Sequence, residues 1–403
     1  MVVGGGPAGA AAAISLARAG LRPLVVDRAR FPRDKCCGDG LTAAALREYE
    51  ALGLRRNAVA DWQVVRDVWV RGPSGRSTRF PLPEQGMYSV VVPRAQLDAA
   101  FLDVARAAGA DVRDGHGLLA ARPEGDAVVL DVADLGPVRC RYVLGCDGAW
   151  SPLRKALGAT QPGYRGDWHA FRQYFASVGP AATDQWVWFE PDLLPGYAWS
   201  FPLPGSRANV GFGIRRQGGK IAVGDMGEVW SDLLTRPAIR EVLGPDARRE
   251  GPHRAWPIPA GVERLPLTAA GGRALFAGDA ACATDPMTGE GIAQALLTGR
   301  RAAEAVLDAG TDRPLEAGRH YEQMVGRELV ADHRLAALLS RALAHRKGVR
   351  IPLRLAGSTD WSRRQFGRWL FEDYPRALVL TPRRWKRGVL RQPGGYAGED
   401  LTA

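Results

Sequence analysis

The sequence predicts an α/β fold, in which helices alternate with the parallel strands of a sheet. Two observations support this class. A glycine-rich turn separates a short apolar strand from a helix at the N terminus, and two later apolar strands each end at an Asp–Gly or Gly–Asp pair. The 403 residues are 46% hydrophobic and 24% charged, as in ordinary globular proteins. Since domains usually contain about 100 to 200 residues, two or three structural units are expected.

The first motif is a glycine-rich loop that fits GxGxxG, and it is followed by an alanine-rich helical stretch and an apolar strand that closes on Asp27. Glycines allow a tight turn and close approach to a pyrophosphate, the helix N terminus supplies unpaired N–H groups, and Asp27 can accept from ribose hydroxyls. The motif predicts a Rossmann-type dinucleotide-binding domain. Its candidate residues are Gly4, Gly6, Pro7, Ala8, Gly9, Asp27 and Arg28. Because only residues 1–3 precede the first glycine, we expect either a very short first strand or a natural start upstream.

Two later motifs repeat this arrangement of strand, turn and helix. Asp147 and Gly148 follow a short apolar strand, and Gly278 with Asp279 follows another, before a glycine-rich stretch leads into a long helix. An Asp at a strand end can hold a ribityl hydroxyl, and the helix start directs N–H donors at a phosphate or at a flavin pyrimidine ring. Taken singly, each pair also suits a plain turn. The candidate residues of the second stretch are Pro286, Gly289, Gly291 and Ile292.

In their order and spacing, these motifs resemble the FAD-binding motifs of the flavoprotein hydroxylase and geranylgeranyl reductase superfamily. The resemblance spans Val2 to about Leu307. It implies a Rossmann-type FAD-binding domain like that of glutathione reductase or p-hydroxybenzoate hydroxylase, with an inserted antiparallel-sheet substrate domain and a C-terminal helical section. It also places Arg94 near the pyrophosphate and Leu118 by the adenine, although Arg94 as a solvated residue at a helix start remains the alternative.

Two further segments point to one family within this superfamily. The loop Cys36-Cys37-Gly38-Asp39-Gly40 looks like the Cys-Gly-Asp-Gly loop of geranylgeranyl reductases, which places Cys37 and Gly38 by the flavin. The segment 197–202, followed by Gly211-Phe212-Gly213, fits that family's YxWxFP and GxG pattern. In a strand, Tyr197, Trp199 and Phe201 share one face, which suits either sheet core or an apolar ligand. The resemblance favours substrate binding.

The resemblance implies saturation of carbon–carbon double bonds in a prenyl chain or a related apolar substrate, with hydride supplied from N5 of reduced FAD and a proton from an acid. Cys37 is the first candidate acid, because a thiol is mostly protonated at neutral pH, and Tyr197 and Asp39 compete with it. A small buried cysteine packed in the loop is the alternative reading of Cys37, and which of Cys36 and Cys37 faces the flavin is open. No second nucleotide motif identifies the electron donor, which is NAD(P)H or ferredoxin.

Three other functions remain open at this point. Related flavin monooxygenases hydroxylate an aromatic or terpenoid metabolite with oxygen, and anaerobic turnover separates them from a reductase. Flavin-dependent halogenases carry a WxWxIP segment, but here Tyr197 and Phe201 replace its first Trp and its Ile, and Lys35 would have to supply the lysine that they need. A non-catalytic prenyl-binding protein would not need the Asp–Gly and Gly–Asp sites that this chain keeps.

The motifs divide the chain into three parts. A discontinuous FAD-binding domain is expected over 1–65, 92–158 and 256–308. The stretches 67–91 and 159–255 alternate like strands between Pro/Gly turns and form the substrate-binding domain. The stretch 314–403 forms a basic helical section, with helices expected over 321–344 and 362–372.

The net charge of +11 comes from the C-terminal section. Between Arg341 and Arg391, fourteen Lys or Arg face three acidic residues and alternate with aromatic residues. Such a mixture suits a peripheral contact with an anionic membrane, while packing onto the substrate domain with solvated arginines is the alternative. We expect no nucleic acid partner, and the oligomeric state is open.

Targeting signals and metal motifs are not evident. Five cysteines without zinc spacing argue against a disulfide framework or a metal and for a reducing compartment, so a cytoplasmic protein, associated with the inner face of the membrane if at all, is expected. The uncharged stretch 1–17 lacks the basic start of a signal peptide and the length of a membrane span.

Overall fold

The computed structural model describes residues 1–398, so 399–403 of the C-terminal section lie outside the described part. The strands are β1 (Val2–Val3), β2 (Leu24–Asp27), β3 (Gly40–Thr42), β4 (Gln63–Val64), β5 (Asp67–Arg71), β6 (Ser77–Pro81), β7 (Ser89–Val91), β8 (Asp111–Asp114), β9 (Leu118–Glu124), β10 (Ala127–Val132), β11 (Gly136–Cys140), β12 (Val143–Gly145), β13 (Trp168–Ala176), β14 (Gln185–Trp188), β15 (Tyr197–Leu203), β16 (Arg207–Arg215), β17 (Arg248–Ile258), β18 (Thr268–Ala269) and β19 (Ala274–Phe276).

The α-helices follow in the same manner. They are α1 (Pro7–Arg18), α2 (Ala43–Ala51), α3 (Arg94–Ala107), α4 (Pro152–Ala156), α5 (Met226–Leu233), α6 (Pro237–Leu243), α7 (Ile292–Ala309), α8 (Pro314–Val325), α9 (Ala331–Leu343), α10 (Arg346–Ala356) and α11 (Asp360–Leu370). A π-helical turn at Gly326–Val330 joins α8 to α9. The predicted helical C-terminal section is therefore confirmed within the described residues.

The main sheet has the strand order β18-β19-β12-β1-β2-β8, and all its pairs are parallel except β18 with β19. Strands β1, β12 and β19 are buried, as parallel strands covered on both faces usually are. Helix α1 contacts β1 and α7, and most of its buried residues are alanine or glycine. This arrangement confirms the predicted Rossmann-type domain, and its first strand as described has two residues.

A second sheet, which we call the inserted sheet, has the order β17-β13-β16-β15-β14-β5-β6. Its pairs are antiparallel, as predicted, apart from β14 with β5, which run parallel. These two strands come from separate segments of the chain, so no short hairpin connection forces them to run in opposite directions. Strand β7 does not join this sheet but pairs with β3 and β4 in a separate three-stranded sheet.

Arg154, in α4, connects the Asp147–Gly148 motif with the Gly278–Asp279 motif through buried hydrogen bonds. Its guanidinium group donates to the backbone oxygens of Ala280 at 2.5 Å, Ala159 at 2.8 Å and Pro266 at 2.6 Å, and it lies 4.0 Å from the ring centroid of Phe276. The residue is 3% exposed. These contacts fix the turn after β12 against the turn after β19.

Replacing Arg154 with Met should destabilise the FAD-free protein by about 3 kcal/mol, because three carbonyl groups lose their donor and each buried unpaired group costs about 1 to 3 kcal/mol. The measurement is the midpoint of urea unfolding. Arg122→Met, which removes an exposed guanidinium paired with Glu124 and Asp131, is the matched control and should change stability by less than about 1 kcal/mol. Equal midpoints for the two variants would contradict the role of Arg154.

Candidate functional site

A cavity of about 750 Å³ lies where the carboxyl ends of the main-sheet strands face the inserted sheet. It is lined by the residues that the sequence analysis named for cofactor and substrate, apart from Gly9 and Pro286. Those lining it are Gly4, Gly6, Pro7, Ala8, Asp27, Arg28, Cys37, Gly38, Arg94, Leu118, Asp147, Gly148, Tyr197, Trp199, Phe201, Gly278, Asp279, Gly289, Gly291 and Ile292. Gly9 instead packs against the backbone of Gly4, and the Pro286 oxygen accepts a hydrogen bond from Trp168 Nε1 at 3.0 Å. Segments from both predicted domains therefore meet in one place.

The N terminus of α1 forms one end of the cavity. The helix begins at Pro7, and the N–H of Ala10 donates to the Gly6 oxygen at 2.9 Å. The N–H groups that precede Ala10 have no partner within the helix. A helix N terminus of this kind attracts a phosphate group through its free donors and its dipole.

Asp27, at the end of β2, stands beside this helix start. Its carboxylate accepts hydrogen bonds from the N–H groups of Gly5 at 2.7 Å and Ala29 at 2.8 Å. A carboxylate offers about four lone-pair directions, so Asp27 keeps acceptor capacity for ribose hydroxyls. Arg28 and Leu118 line the cavity here, and Leu118 is half-buried, as a residue that packs by a bound base would be.

The two other strand-end carboxylates have different surroundings. Asp147 accepts from Ser151 Oγ at 2.6 Å and from the Leu153 N–H at 2.9 Å, so it caps the start of α4, and its burial raises its pKa. Asp279 has only a long contact from Thr284 Oγ1, at 3.4 Å, among its hydrogen bonds to the described residues. Asp279 is therefore the carboxylate with free acceptor capacity for a ribityl hydroxyl.

Arg94 lies at the cavity wall, buried and paired rather than solvated. Its guanidinium group donates to both carboxylate oxygens of Asp98, at 2.8 and 2.7 Å, and Arg33 lies 3.1 Å from the same carboxylate. Two arginines share one carboxylate, so positive charge is left over at the cavity. This excess suits the pyrophosphate that the resemblance places near Arg94.

The loop that carries the cysteines is held in place by Asp39. This carboxylate accepts from Tyr174 Oη at 2.6 Å, Asn209 Nδ2 at 2.8 Å and the Arg94 N–H at 3.3 Å, and Asn209 also donates to the Cys37 oxygen. Asp39 is fully buried, and this burial raises its pKa to about 6. It does not belong to the cavity wall. Asp39 therefore positions the loop from behind, and its candidacy as a proton donor finds no support in this geometry.

Both cysteines of the loop line the cavity. Burial raises the pKa of Cys36 to about 12 and also raises the pKa of Cys37 above its ordinary value. Cys36 Sγ donates to the Arg254 oxygen at 3.5 Å. Both thiols therefore hold their protons at neutral pH, and neither is an activated nucleophile.

Tyr197, Trp199 and Phe201 form the aromatic wall of the cavity, on successive inward positions of β15. Their ring centroids are spaced at 6.0 Å intervals. The Tyr197 hydroxyl donates to the Thr288 oxygen, and Trp199 Nε1 donates to Asn209 Oδ1 at 3.1 Å. Since their polar atoms are satisfied elsewhere, these rings present an apolar surface to the cavity.

Several other lining residues were not cofactor or substrate candidates in the sequence analysis, where Lys35 appears only as the lysine that a halogenase would need. Lys35 Nζ lies 3.8 Å from Asp279 Oδ2 and 4.3 Å from the ring centroid of Trp256. Burial lowers the pKa of Lys35. Glu290 lines the cavity between Gly289 and Gly291, two of the predicted cofactor residues. Its position between them in the sequence could have identified it as a candidate. Trp168 and Trp256 lie on separate strands that no local pattern connects.

These residues fit a flavin adenine dinucleotide. The cavity of about 750 Å³ contains free N–H groups at a helix start, carboxylates that can accept from ribose and ribityl hydroxyls, and excess positive charge. It also has an apolar aromatic wall. No cluster of His, Cys, Asp or Glu able to hold a metal ion occurs among residues 1–398.

Comparisons with known proteins agree with this fit. The FAD binding domain family matches residues 1–194. Menaquinone reductase from Mycolicibacterium smegmatis is 35% identical over 378 residues, 84% of each chain, and digeranylgeranylglycerophospholipid reductase 1 from Methanopyrus kandleri is 32% identical over 322 residues, 77% of this chain and 80% of that one. A geranylgeranyl bacteriochlorophyll reductase-like crystal structure from Thermoplasma acidophilum superposes with a TM-score of 0.78 at 21% identity, over 95% of this chain and 98% of that one. The predicted fold and the FAD cofactor are thereby confirmed.

Replacing Asp39 with Ala should destabilise the FAD-free protein by about 2 to 4 kcal/mol, because the buried donors of Tyr174 and Asn209 lose their acceptor. It should also weaken FAD binding, since the loop loses its anchor. Urea unfolding and FAD titration by fluorescence measure the two effects. Tyr174→Phe removes one donor without orphaning the carboxylate and should cost only about 1 kcal/mol. The anchoring role is wrong if Asp39→Ala matches the wild type in both measurements.

Proposed function

The chain belongs to the geranylgeranyl reductase family of FAD-dependent oxidoreductases, and from that membership we propose that it reduces carbon–carbon double bonds of a prenyl chain or a related apolar substrate. The observation that carries the proposal is that the aromatic wall and the FAD-binding loop line one cavity. An apolar chain laid against this wall would be desolvated next to the cofactor. The reductases named above, for menaquinone and for a digeranylgeranyl phospholipid, indicate the substrate class.

The aromatic wall has a second use in this reaction. When bound, reduced FAD supplies hydride to one alkene carbon. An isolated alkene has no carbonyl group to take up negative charge, so a proton must arrive with or before the hydride, and positive charge develops at the more substituted carbon. The ring faces of Tyr197 and Trp199 stabilise a cation in this position. Their side-chain hydrogen bonds hold the rings in place before the substrate binds.

We place Cys37 and Tyr197, the two catalytic candidates from the sequence, next to the reacting double bond. Both line the cavity, and burial keeps both protonated by raising their pKa values. The Tyr197 hydroxyl donates its proton in a hydrogen bond to the Thr288 oxygen. This bond fixes the ring, and it must break before Tyr197 can donate to a substrate. The electrons for FAD are proposed to come from NAD(P)H or ferredoxin.

Anaerobic single turnover tests the function. The purified protein is reduced with dithionite and mixed with geranylgeranyl diphosphate, a geranylgeranylated glycerolipid or menaquinone, and flavin absorbance and product mass are followed together. A reductase should be reoxidised by at least one of these compounds, with a product heavier by two hydrogens. No reoxidation by any prenyl compound would contradict the proposal, and a product that appears only with oxygen would assign the protein to the monooxygenases.

We also infer that the outer face of the C-terminal section contacts an anionic membrane. Exposed apolar side chains on α10 and the start of α11, namely Ile351 at 52%, Leu355 at 66% and Trp361 at 68% exposed, alternate with Arg350 and Arg354. We call these residues the basic-apolar surface. The positive charge complements an anionic headgroup layer, and the apolar side chains can enter it. Among residues 1–398, no helix is both long enough and apolar enough to cross a membrane.

Co-sedimentation with phosphatidylglycerol vesicles tests this contact. The double variant Leu355→Glu/Trp361→Glu should bind at least about tenfold more weakly than the wild type, since burying one large apolar side chain contributes about 1.5 to 3 kcal/mol. Leu119→Glu, at a 73% exposed position on β9, is the matched control and should bind normally. Equal binding of wild type and double variant would contradict the docking surface.

A further inference from the structure

Glu290 is a carboxyl group that the proposed reaction has not yet used. It belongs to the loop between β19 and α7, and it lines the cavity together with Cys37 and Tyr197. The loop is firmly held: Asp285 Oδ1 accepts from the N–H groups of Met287 and Thr288, and the Asp285 N–H donates to the Glu290 oxygen at 2.8 Å. The backbone at Glu290 is therefore fixed where the aromatic wall meets the cofactor loop.

The charges around Glu290 do not balance if all its neighbours are ionised. Arg376, from the segment after α11, is the cation of this buried cluster, and it faces the carboxyl groups of Asp285, Glu372 and Glu290. One guanidinium cannot compensate three carboxylates in a buried site, so at least one of them keeps a proton. Tyr197 and Cys37, which face Glu290 from the wall and the loop, are neutral, and His333, which faces Asp285, accepts a hydrogen bond from the Val262 N–H and is neutral as well.

The hydrogen bonds decide which carboxyl group holds the proton. The Asp285 carboxylate accepts hydrogen bonds from Arg376 Nε at 2.8 Å and from two backbone N–H groups of its own loop. The Glu372 carboxylate accepts hydrogen bonds from Thr42 Oγ1 at 3.0 Å and from Gln294 Nε2 at 2.7 Å. The Glu290 carboxyl group receives no hydrogen bond from the described residues, so the charge of Arg376, which Asp285 and Glu372 share, is what favours its ionised form. Burial, reinforced by Glu372, raises the pKa of Glu290 to about 8.

We propose that Glu290 delivers the proton that completes saturation of the substrate double bond, a role that rests on the proposed function. The π electron pair of the alkene forms the new bond to the Glu290 proton, the other carbon receives the hydride that reduced FAD supplies, and the carboxylate and oxidised FAD remain. Glu290 keeps part of its surface open to the cavity, so its proton returns from solvent. Among the cavity groups that are protonated at neutral pH, this carboxyl group is a stronger acid than the thiol of Cys37 and the phenol of Tyr197.

Glu290→Gln keeps the shape of the side chain and removes its proton. The first readout needs no turnover: infrared difference spectra of the oxidised, FAD-loaded wild type should show a protonated carboxyl group that ionises near pH 8 and is absent from the variant. The second is anaerobic reoxidation by a prenyl compound. In the wild type the rate should fall about tenfold per pH unit above that pKa, whereas in Glu290→Gln it should be at least about 100-fold lower and independent of pH.

Two further variants separate catalysis from structure. Glu372→Gln should shift the pH profile to lower values, because it removes the neighbouring carboxyl group that helps to raise the pKa of Glu290. Glu316→Gln, an exposed residue paired with Arg313, is the matched control and should leave the rate and its pH profile unchanged. FAD affinity should stay within about twofold of wild type in Glu290→Gln, so a lost rate reports chemistry and not cofactor loss.

Two results would overturn the proposal while the function stands: a wild-type rate and pH profile in Glu290→Gln, or loss of the reaction in Cys37→Ala while Glu290→Gln retains it, which would return the role to the thiol. A wild type that no prenyl compound reoxidises would remove the proposed function, and the proton delivery with it. If Glu290→Gln does not fold, the pH shift in Glu372→Gln decides, and an unshifted profile there contradicts the proposal.

Discussion

The close approach of helix α1 to its neighbours is the constraint on which the site depends. A Cβ atom on Gly9 would lie 1.8 Å from the Gly4 oxygen, and a Cβ atom on Gly299 would lie 2.0 Å from the Ala8 oxygen. The backbone of α1 therefore touches the loop after β1 on one side and α7 on the other. Because α7 begins at Ile292, this contact brings the loop at 285–291 to the same cavity as the first glycine loop. Two motifs that are far apart in the sequence become the two walls of one cofactor site.

The inserted sheet shapes the cavity in two ways: it supplies the aromatic wall, and it holds the loop at 36–41 in place. The Asp39 carboxylate accepts hydrogen bonds from Tyr174 on β13 and Asn209 on β16. It also accepts one from the N–H of Arg94, at the start of α3. Asn209 in turn holds Trp199 and the Cys37 oxygen. One buried carboxylate thus fixes the distance between the cofactor loop and the aromatic wall. This distance sets the space between the two sides of the cavity.

The basic C-terminal section divides into two parts with separate uses. Arg376 is buried against Asp285 and Glu372, and Arg368 is buried against Asp373, so these arginines belong to the interior. Arg350 and Arg354 lie on the outer face of α10 among exposed apolar side chains. A charge excess that is continuous in the sequence is therefore part active-site support and part surface. The inner part connects the C-terminal helices directly to the loop that carries Glu290.

The sequence alone determined the fold class, a dinucleotide site and twenty residues of the cavity wall, because glycine loops, strand-end Asp residues and a period-two aromatic face are local patterns; its resemblance to a known family added FAD. It did not determine that β14 and β5 pair in parallel, since their segments are separated in the chain. Nor did it separate Asp39, which anchors the loop from behind, from Glu290, which faces the cavity; both are single carboxylates beside glycines. Only the tertiary structure separated their surroundings, because burial, hydrogen-bond donors and the position of Arg376 depend on contacts between residues that are distant in the sequence.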